Sequence, residues 1–446
     1  MSEMARARTG YGVGAFGTDL LWQSTSFFLL YYYTDVLGLS SAAAGLVFGV
    51  AMIVDGLIDP LIGVLTNRTR SPLGRYRFYI LVGAAPLALC YILMFAQPLT
   101  SMASSIVFAF IAQVLFRAAY AFVSIPYGSL SATLTSDSGE RTSLATVKVL
   151  GAATAALFVA LGTQPFVARF ADPVMGWLAL SVIWGVLSTS AFLVMFKLTR
   201  ERAALAEEKS PPLRQLLSAT LFNRPFLIVL VAIMLTSIAQ TVTSKVTIYF
   251  FQYYVNRPDL AGVSLAIQVC AVIVLTPVWA WVARKSSKRA AWLAGSSIAL
   301  VGQALFAVYR GVDPTVLLSL QTIMALGASA IPIMFWSLVP DVVEIGEWKI
   351  GVRAEGAIFG LVTLGQKVAL GVGIGATGLL LDVIGYHAHT AQAPATLQGI
   401  HALMTLPALI GTAGAACAMA FYRLDAKTHQ RLVRALAWRA SRKRVA

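Results

Sequence analysis

A succession of apolar runs, separated by short polar breaks, fills almost all of this 446-residue sequence. That succession constrains the fold more than any motif does. The runs fall at 11–35, 41–66, 78–98, 103–130, 143–168, 176–198, 223–254, 260–283, 290–309, 314–340, 354–384 and 399–422. A helix of roughly 20 apolar residues crosses the hydrocarbon core of a bilayer. Only helices or closed barrels satisfy their backbone in lipid, and the alternating strands of a barrel are absent from the sequence. The expectation is an all-α membrane protein with twelve transmembrane helices. Composition agrees, with 58% hydrophobic and 12% charged residues; soluble domains carry about 25% charged residues. A mean hydropathy of +0.77 belongs to a chain that needs lipid as solvent. The first run is full-length without a convincing cleavage site, so it reads as a span and not as a signal peptide.

The net charge of +15 would suit nucleic acid, but its distribution does not. Arg68, Arg70, Arg75 and Arg77, then the 199–222 segment, then Arg284, Lys285, Lys288 and Arg289, then a tail from Arg431 to Arg444, all fall on one side of the membrane. The other side has only Arg169, Arg257 and Arg310. Basic loops stay inside, so both termini are expected in the cytoplasm, in a bacterial inner membrane. The polar 199–222 segment is read as a cytoplasmic linker. It separates an N-terminal six-helix half, 1–198, from a C-terminal half, 223–424, followed by a basic tail, 425–446. Pro126–Leu130 in the fourth span is echoed by Met334–Leu338 in the tenth. Such parallel repeats describe two pseudo-symmetric halves with a solute site near the midplane.

Ionisable residues inside apolar runs are the informative ones. A charge at mid-bilayer costs about 2.5–3.5 kcal/mol on insertion scales and faces a cavity or a partner. Asp19, Asp55, Asp59, Arg117, Lys148, Lys245 and Lys367 qualify. Asp55 and Asp59 are four residues apart, on one helix face. Two close carboxylates repel, so either a cation bridges them or one holds a proton. Such a site gives its occupied and empty forms different conformational preferences. The bland alternative is a structural pair neutralised by Arg117 or Lys367. Asp19, after Gly12, Gly14 and Gly17, suits acceptance of sugar hydroxyls or a salt bridge. Lys367 suits donation to solute or a charge switch; Arg117 suits pairing with a carboxylate; Lys148 either lines the cavity or snorkels. Tyr120 and Trp336 are candidate sugar-stacking groups, or simply packing. The three cysteines, Cys90, Cys270 and Cys417, are far apart and form no framework. His387 and His389 are expected to be solvated.

These residues resemble the glycoside–pentoside–hexuronide:cation symporters of the major facilitator superfamily, the melibiose permease-like family. The likeness runs from about Tyr11 to Leu424. Its most specific part is Asp55-Gly-Leu-Ile-Asp59-Pro60-Leu-Ile-Gly63, matching D-x-x-x-D-P-x-x-G. Tyr31 to Gly38, Asn67 to Ser71, Gly74 to Arg77, and Pro340 to Lys349 followed by Gly351 to Gly356 also fit. The resemblance implies cation-site carboxylates at Asp55 and Asp59 and a sugar-binding carboxylate at Asp19. It also implies cavity-lining roles for Tyr120 and Lys367, and cytoplasmic gating elements at Arg141, Arg353 and Glu355.

Departures from the pattern carry equal weight. Ile58 and Ala121 stand where the family's sodium-using member has oxygen-bearing Asn and Thr. Losing oxygen ligands points to coupling with H+ rather than Na+. Ser124, Gly128 and Val149 replace an acid, a Trp and an Arg of the galactoside site, which makes a hexuronide-like anion a competing solute. Family relatives that carry lipids keep the span-two acids and the span-eleven lysine, so a lysophospholipid also competes. The sequence shows no metal-ligand cluster, no phosphate-binding glycine loop and no nucleophile with a base, so an enzyme or an ATP-driven pump is not expected. A monomer with no cofactor, working on a sugar, glycoside or hexuronide, is the resulting expectation.

Overall fold

In the computed structural model, residues 3–96, 102–135, 137–201, 223–350, 355–422 and 435 are described. The chain runs through α1 (Glu3–Tyr31, prolonged by a π-helical turn at Tyr32–Val36), α2 (Ser41–Arg68), α3 (Arg75–Met94), α4 (Met102–Leu134), α5 (Ser138–Val167) and α6 (Pro173–Leu198). It continues through α7 (Arg224–Tyr249, prolonged by a π-helical turn at Phe250–Tyr254), α8 (Asp259–Lys285), α9 (Lys288–Val308), α10 (Pro314–Ala328), α11 (Ala330–Ile350), α12 (Glu355–Val383) and α13 (Pro394–Ala420). Among the described residues there are 11 stretches long and apolar enough to cross a membrane, α10 and α11 counting as one. α1, which carries Glu3, Arg6, Arg8 and Asp19, supplies the twelfth.

The element ends follow from local chemistry. Asp172 accepts from the Val174 amide at 3.0 Å and is followed by Pro173 in the first turn of α6; Asp313 and Pro314 repeat the device at α10. An acceptor at the cap and a proline that has no amide to leave unbonded both favour a helix start. The α3 start is capped from far away. The Glu201 carboxylate accepts the backbone amides of Arg75, Tyr76 and Arg77 at 2.7–2.8 Å, where the helix dipole favours an anion. The tenth span, expected as one run over 314–340, is broken at Ser329 and its second piece reaches Ile350. Pro332 explains the break, because it has no amide to offer the Ala328 carbonyl. The linker expected at 199–222 lies, from residue 202 onward, outside the described residues, as does the 425–446 tail apart from Ala435.

The chain forms two compact units. The first contains Met1–Ala206, Ser244–Val269 and Gly371–His401; the second contains Glu207–Thr243, Cys270–Leu370 and Ala402–Ala446. In the first unit α1 packs on α5 and α6, α4 on α2 and α3, and α3 on α6. Glycine sets the tightest of these contacts. A Cβ on Gly17 would meet the Ala191 Cβ at 2.9 Å and the Ser188 carbonyl at 3.1 Å, so α1 and α6 approach closely only because that side chain is missing. Ser188 Oγ donates to the Gly17 carbonyl at 2.8 Å across the same contact. In the second unit Trp292, Phe335, Val339, Val342, Ile358 and Val362 share one buried core. Lys288 there donates to both Asp341 oxygens at 2.7–2.8 Å and to the Ser337 carbonyl at 2.7 Å. Leu57, Leu61 and Val64 on α2 remain exposed, as side chains meant for lipid do.

Candidate functional site

The first unit gathers the membrane-embedded charges of α1, α2 and α4 around the Tyr120 hydroxyl. Asp19, Asp55, Asp59 and Arg117 all act electrostatically on it. Asp55 is fully buried, while Asp59, one turn further along α2, is partly buried. Two ionised carboxylates on adjacent turns, about 5–6 Å apart, repel by on the order of 3 kcal/mol at an effective dielectric constant of ~20. Arg117, 2% exposed, lies within electrostatic reach of Asp55. A buried carboxylate with a buried guanidinium nearby is tolerated where either alone is not.

Aromatic rings wall this cluster. The Arg117 guanidinium carbon stands 4.8 Å from the Trp22 ring centre and 5.3 Å from that of Phe48. Trp22 and Tyr120 rings are 5.1 Å apart and tilted by 33°. The guanidinium thus gains cation–π attraction, while its Nε and Nη1 have no acceptor among the described residues. Lys148 on α5 is exposed, with its ammonium 5.7 Å from the Tyr127 ring centre, and its charge acts on Asp19. Ser124 is partly buried one turn beyond Tyr120 on α4.

Of the remaining sequence candidates, Trp336 and Lys367 belong to the second unit. Trp336 is 47% exposed and stacks on Phe359, with ring centres 6.4 Å apart. Lys367 is partly buried on α12. Arg141 donates from Nε to the Thr135 carbonyl at 3.2 Å, tying the start of α5 to the end of α4. Arg353 lies outside the described residues, and Glu355 begins α12. Among the described residues there is no group of acids, histidines or cysteines able to hold a metal.

Sequence reasoning ranked two features too low or missed them. The first is Lys245 of α7. It is 2% exposed, donates to the Ser26 carbonyl of α1, and holds its ammonium 4.7 Å from the centre of the same Phe48 ring that Arg117 faces. The second is a polar knot at the far end of α1. The buried Asp35 carboxylate accepts from Thr34 at 2.6 Å, Tyr253 at 2.5 Å and Tyr386 at 2.7 Å. Tyr249 and Thr34 share a further hydrogen bond of 2.8 Å. His389 is exposed, as expected, and its ring Nε2 also donates to the Asp35 carbonyl, at a backbone φ of 57°. The readable signals were spacing: Lys245, Tyr249 and Tyr253 recur every four residues, and Trp22 follows Asp19 by three.

This arrangement of apolar helices around buried acids and bases is that of the major facilitator transporters. A bacterial homologue of the human lysosomal transporter Spinster, solved in an inward-facing and unoccupied conformation, superposes with a TM-score of 0.74 at 12% identity, covering 97% of this chain and 98% of that one. The sequence matches the family described as MFS/sugar transport protein over residues 10–426. The chain therefore belongs to that family and is a multi-pass integral membrane protein. It is similar to the isoprimeverose transporter of Lactiplantibacillus pentosus, 32% identical over 94% of this chain and 88% of that protein. An uncharacterised symporter of Bacillus subtilis is 30% identical over 96% of this chain and 94% of its own length.

Proposed function

We propose that this protein is a secondary active transporter, not an enzyme, that carries a sugar or glycoside across the membrane together with a proton by alternating access. The observation that carries the reading is the pair of buried Asp55 and partly buried Asp59 on one face of α2, with Arg117 and Tyr120 beside it. Neutralising one carboxylate removes a repulsion built into the site, so the loaded and empty forms differ in stability. Ile58 and Ala121 offer no side-chain oxygen to a bare metal cation, whereas a proton needs only one basic group. Asp19, Trp22, Tyr120 and Ser124 supply an acceptor, two ring faces and a hydroxyl, the chemistry by which a sugar is held. The isoprimeverose transporter among its relatives supports a neutral glycoside. A bacterial inner membrane, cytoplasmic termini and a monomer complete the reading.

The two unbonded nitrogens of Arg117, with exposed Lys148 nearby, favour a second reading in which the solute is an anion such as a hexuronide. One experiment separates them. Sodium-free vesicles carrying the protein are offered neutral glycosides, pentosides and hexuronides while external pH is followed. An alkaline shift with one class identifies both proton symport and the solute class. Uptake that needs sodium at fixed pH contradicts proton coupling.

A further inference from the structure

α7 presents one polar strip to α1. Lys245 reaches the Ser26 carbonyl, Tyr249 reaches Thr34, and Tyr253 reaches Asp35. The three residues recur at four-residue spacing and therefore share a helix face. Their partners run along α1 from its middle to its far end. Each of the three residues thus grips the same helix, and Tyr253 also accepts from the His389 amide.

Lys245 differs from the two tyrosines because it is a base in a place that offers its charged form little compensation. It meets the Ser26 carbonyl oxygen and the Phe48 ring, and the Arg117 charge lies within electrostatic reach. The two cations stand against one aromatic ring, Arg117 at 5.3 Å and Lys245 at 4.7 Å from its centre, and the charge of Arg117 acts on Lys245. The charged and titratable groups around this pair are Asp55 on α2, and Tyr120 and Tyr33, which also act on Arg117; Asp19 and Asp59 join through Tyr120. While Asp55 is ionised it offsets the Arg117 charge, and Lys245 sits beside a nearly neutral pair. When the carboxylate is neutralised, Arg117 is left as an uncompensated cation next to another one.

We propose that Lys245 is the positioning residue that reads the charge state of the α2 carboxylates and converts it into attachment or release of the α7 strip at the outer end of α1. It contacts neither solute nor coupling ion; it acts through Arg117. Protonation at Asp55 or Asp59 raises the repulsion across Phe48, loosens the Lys245 contact and, along the same rigid helix, the Tyr249 and Tyr253 contacts at Thr34 and Asp35. The outer end then opens to the side from which solute and proton arrive. The inference rests on the proton-coupled reading above.

The test uses the full-length protein in lipid, without native cysteines, bearing nitroxides at Leu37→Cys and Pro258→Cys. Both positions belong to the first unit and flank the strip's outer end. Pulsed electron resonance gives the distance distribution between them. From about pH 8 to about pH 6 the longer-distance fraction is expected to rise by about threefold or more in the otherwise native protein. Lys245→Gln keeps a donor for the Ser26 carbonyl but removes the charge, and is expected to flatten that response while solute exchange continues. Lys245→Arg is expected to restore it. A native-like pH response in Lys245→Gln overturns the role of Lys245 and leaves the proton-coupled reading intact. No pH response in the native protein, together with no solute-driven proton movement, overturns both. Should Lys245→Gln fail to fold, Arg117→Gln serves instead: it removes the repelling charge, so a response that persists there overturns the proposal.

Discussion

Two buried polar regions of the first unit hold the same kinds of group in opposite conditions. At the far end of α1, the Asp35 carboxylate takes three hydroxyl donors at 2.5–2.7 Å. At the centre, Arg117 is as deeply buried, yet two of its nitrogens find no acceptor among the described residues and its attraction is largely to ring faces. A satisfied buried network is rigid, and a partly satisfied one is sensitive to any change in charge. The contrast teaches a division of labour on the proposed reading: the Asp35 knot would hold one conformation, and the Arg117 cluster would decide when holding it is favourable.

The comparison is broken most directly at its charged side. Arg117→Leu leaves Asp55 buried near no guanidinium and is expected to cost on the order of 3–5 kcal/mol, measured by unfolding in detergent. Adding Asp55→Asn should recover part of that loss, as coupled neighbours do; a double variant no more stable than the single one contradicts the pairing. Asp35→Asn removes charge-assisted hydrogen bonds worth about 1.5–3 kcal/mol each. An impermeant thiol reagent should then reach Leu39→Cys, which the native fold buries, about tenfold faster. Unchanged labelling would show that the knot does not close the outer end. Tyr386→Phe deletes one of these three bonds, about 1.5–3 kcal/mol, and should raise the same labelling rate less than Asp35→Asn does. Lys148→Ala is the smallest change, about 0.5–1 kcal/mol for an exposed cation–π contact. A rise of about tenfold in solute KM at unchanged stability would instead select the anionic-solute reading.

Much of the fold could be read from the sequence because lipid leaves few choices. A run such as Ser41–Thr66, with exposed Leu57 and Leu61, has no other stable form. The break between α10 and α11 was harder to see, since Pro332 lies inside a run whose hydropathy continues unchanged. The charges at Asp19, Asp55, Asp59, Arg117 and Lys148 stood out because each is costly in a membrane, and the structure places them in one unit. Trp336 and Lys367 are just as visible in the sequence and belong to the other unit. The Asp35 knot escaped notice because its donors are tyrosines, which in apolar runs look like packing until a carboxylate is found among them. His389 is exposed as its polar neighbours in sequence suggest, but its bond to the Asp35 carbonyl could not be read from them.

The central claim is that the ionisation of the α2 carboxylates is what links proton and solute movement. Asp59→Asn fixes one of them in a neutral form without changing its size. Sodium-free vesicles are loaded with solute to follow exchange, and separately given solute outside while pH is recorded. The account predicts that Asp59→Asn exchanges solute but gives no alkaline shift and no accumulation. A shift of native size in Asp59→Asn would contradict it.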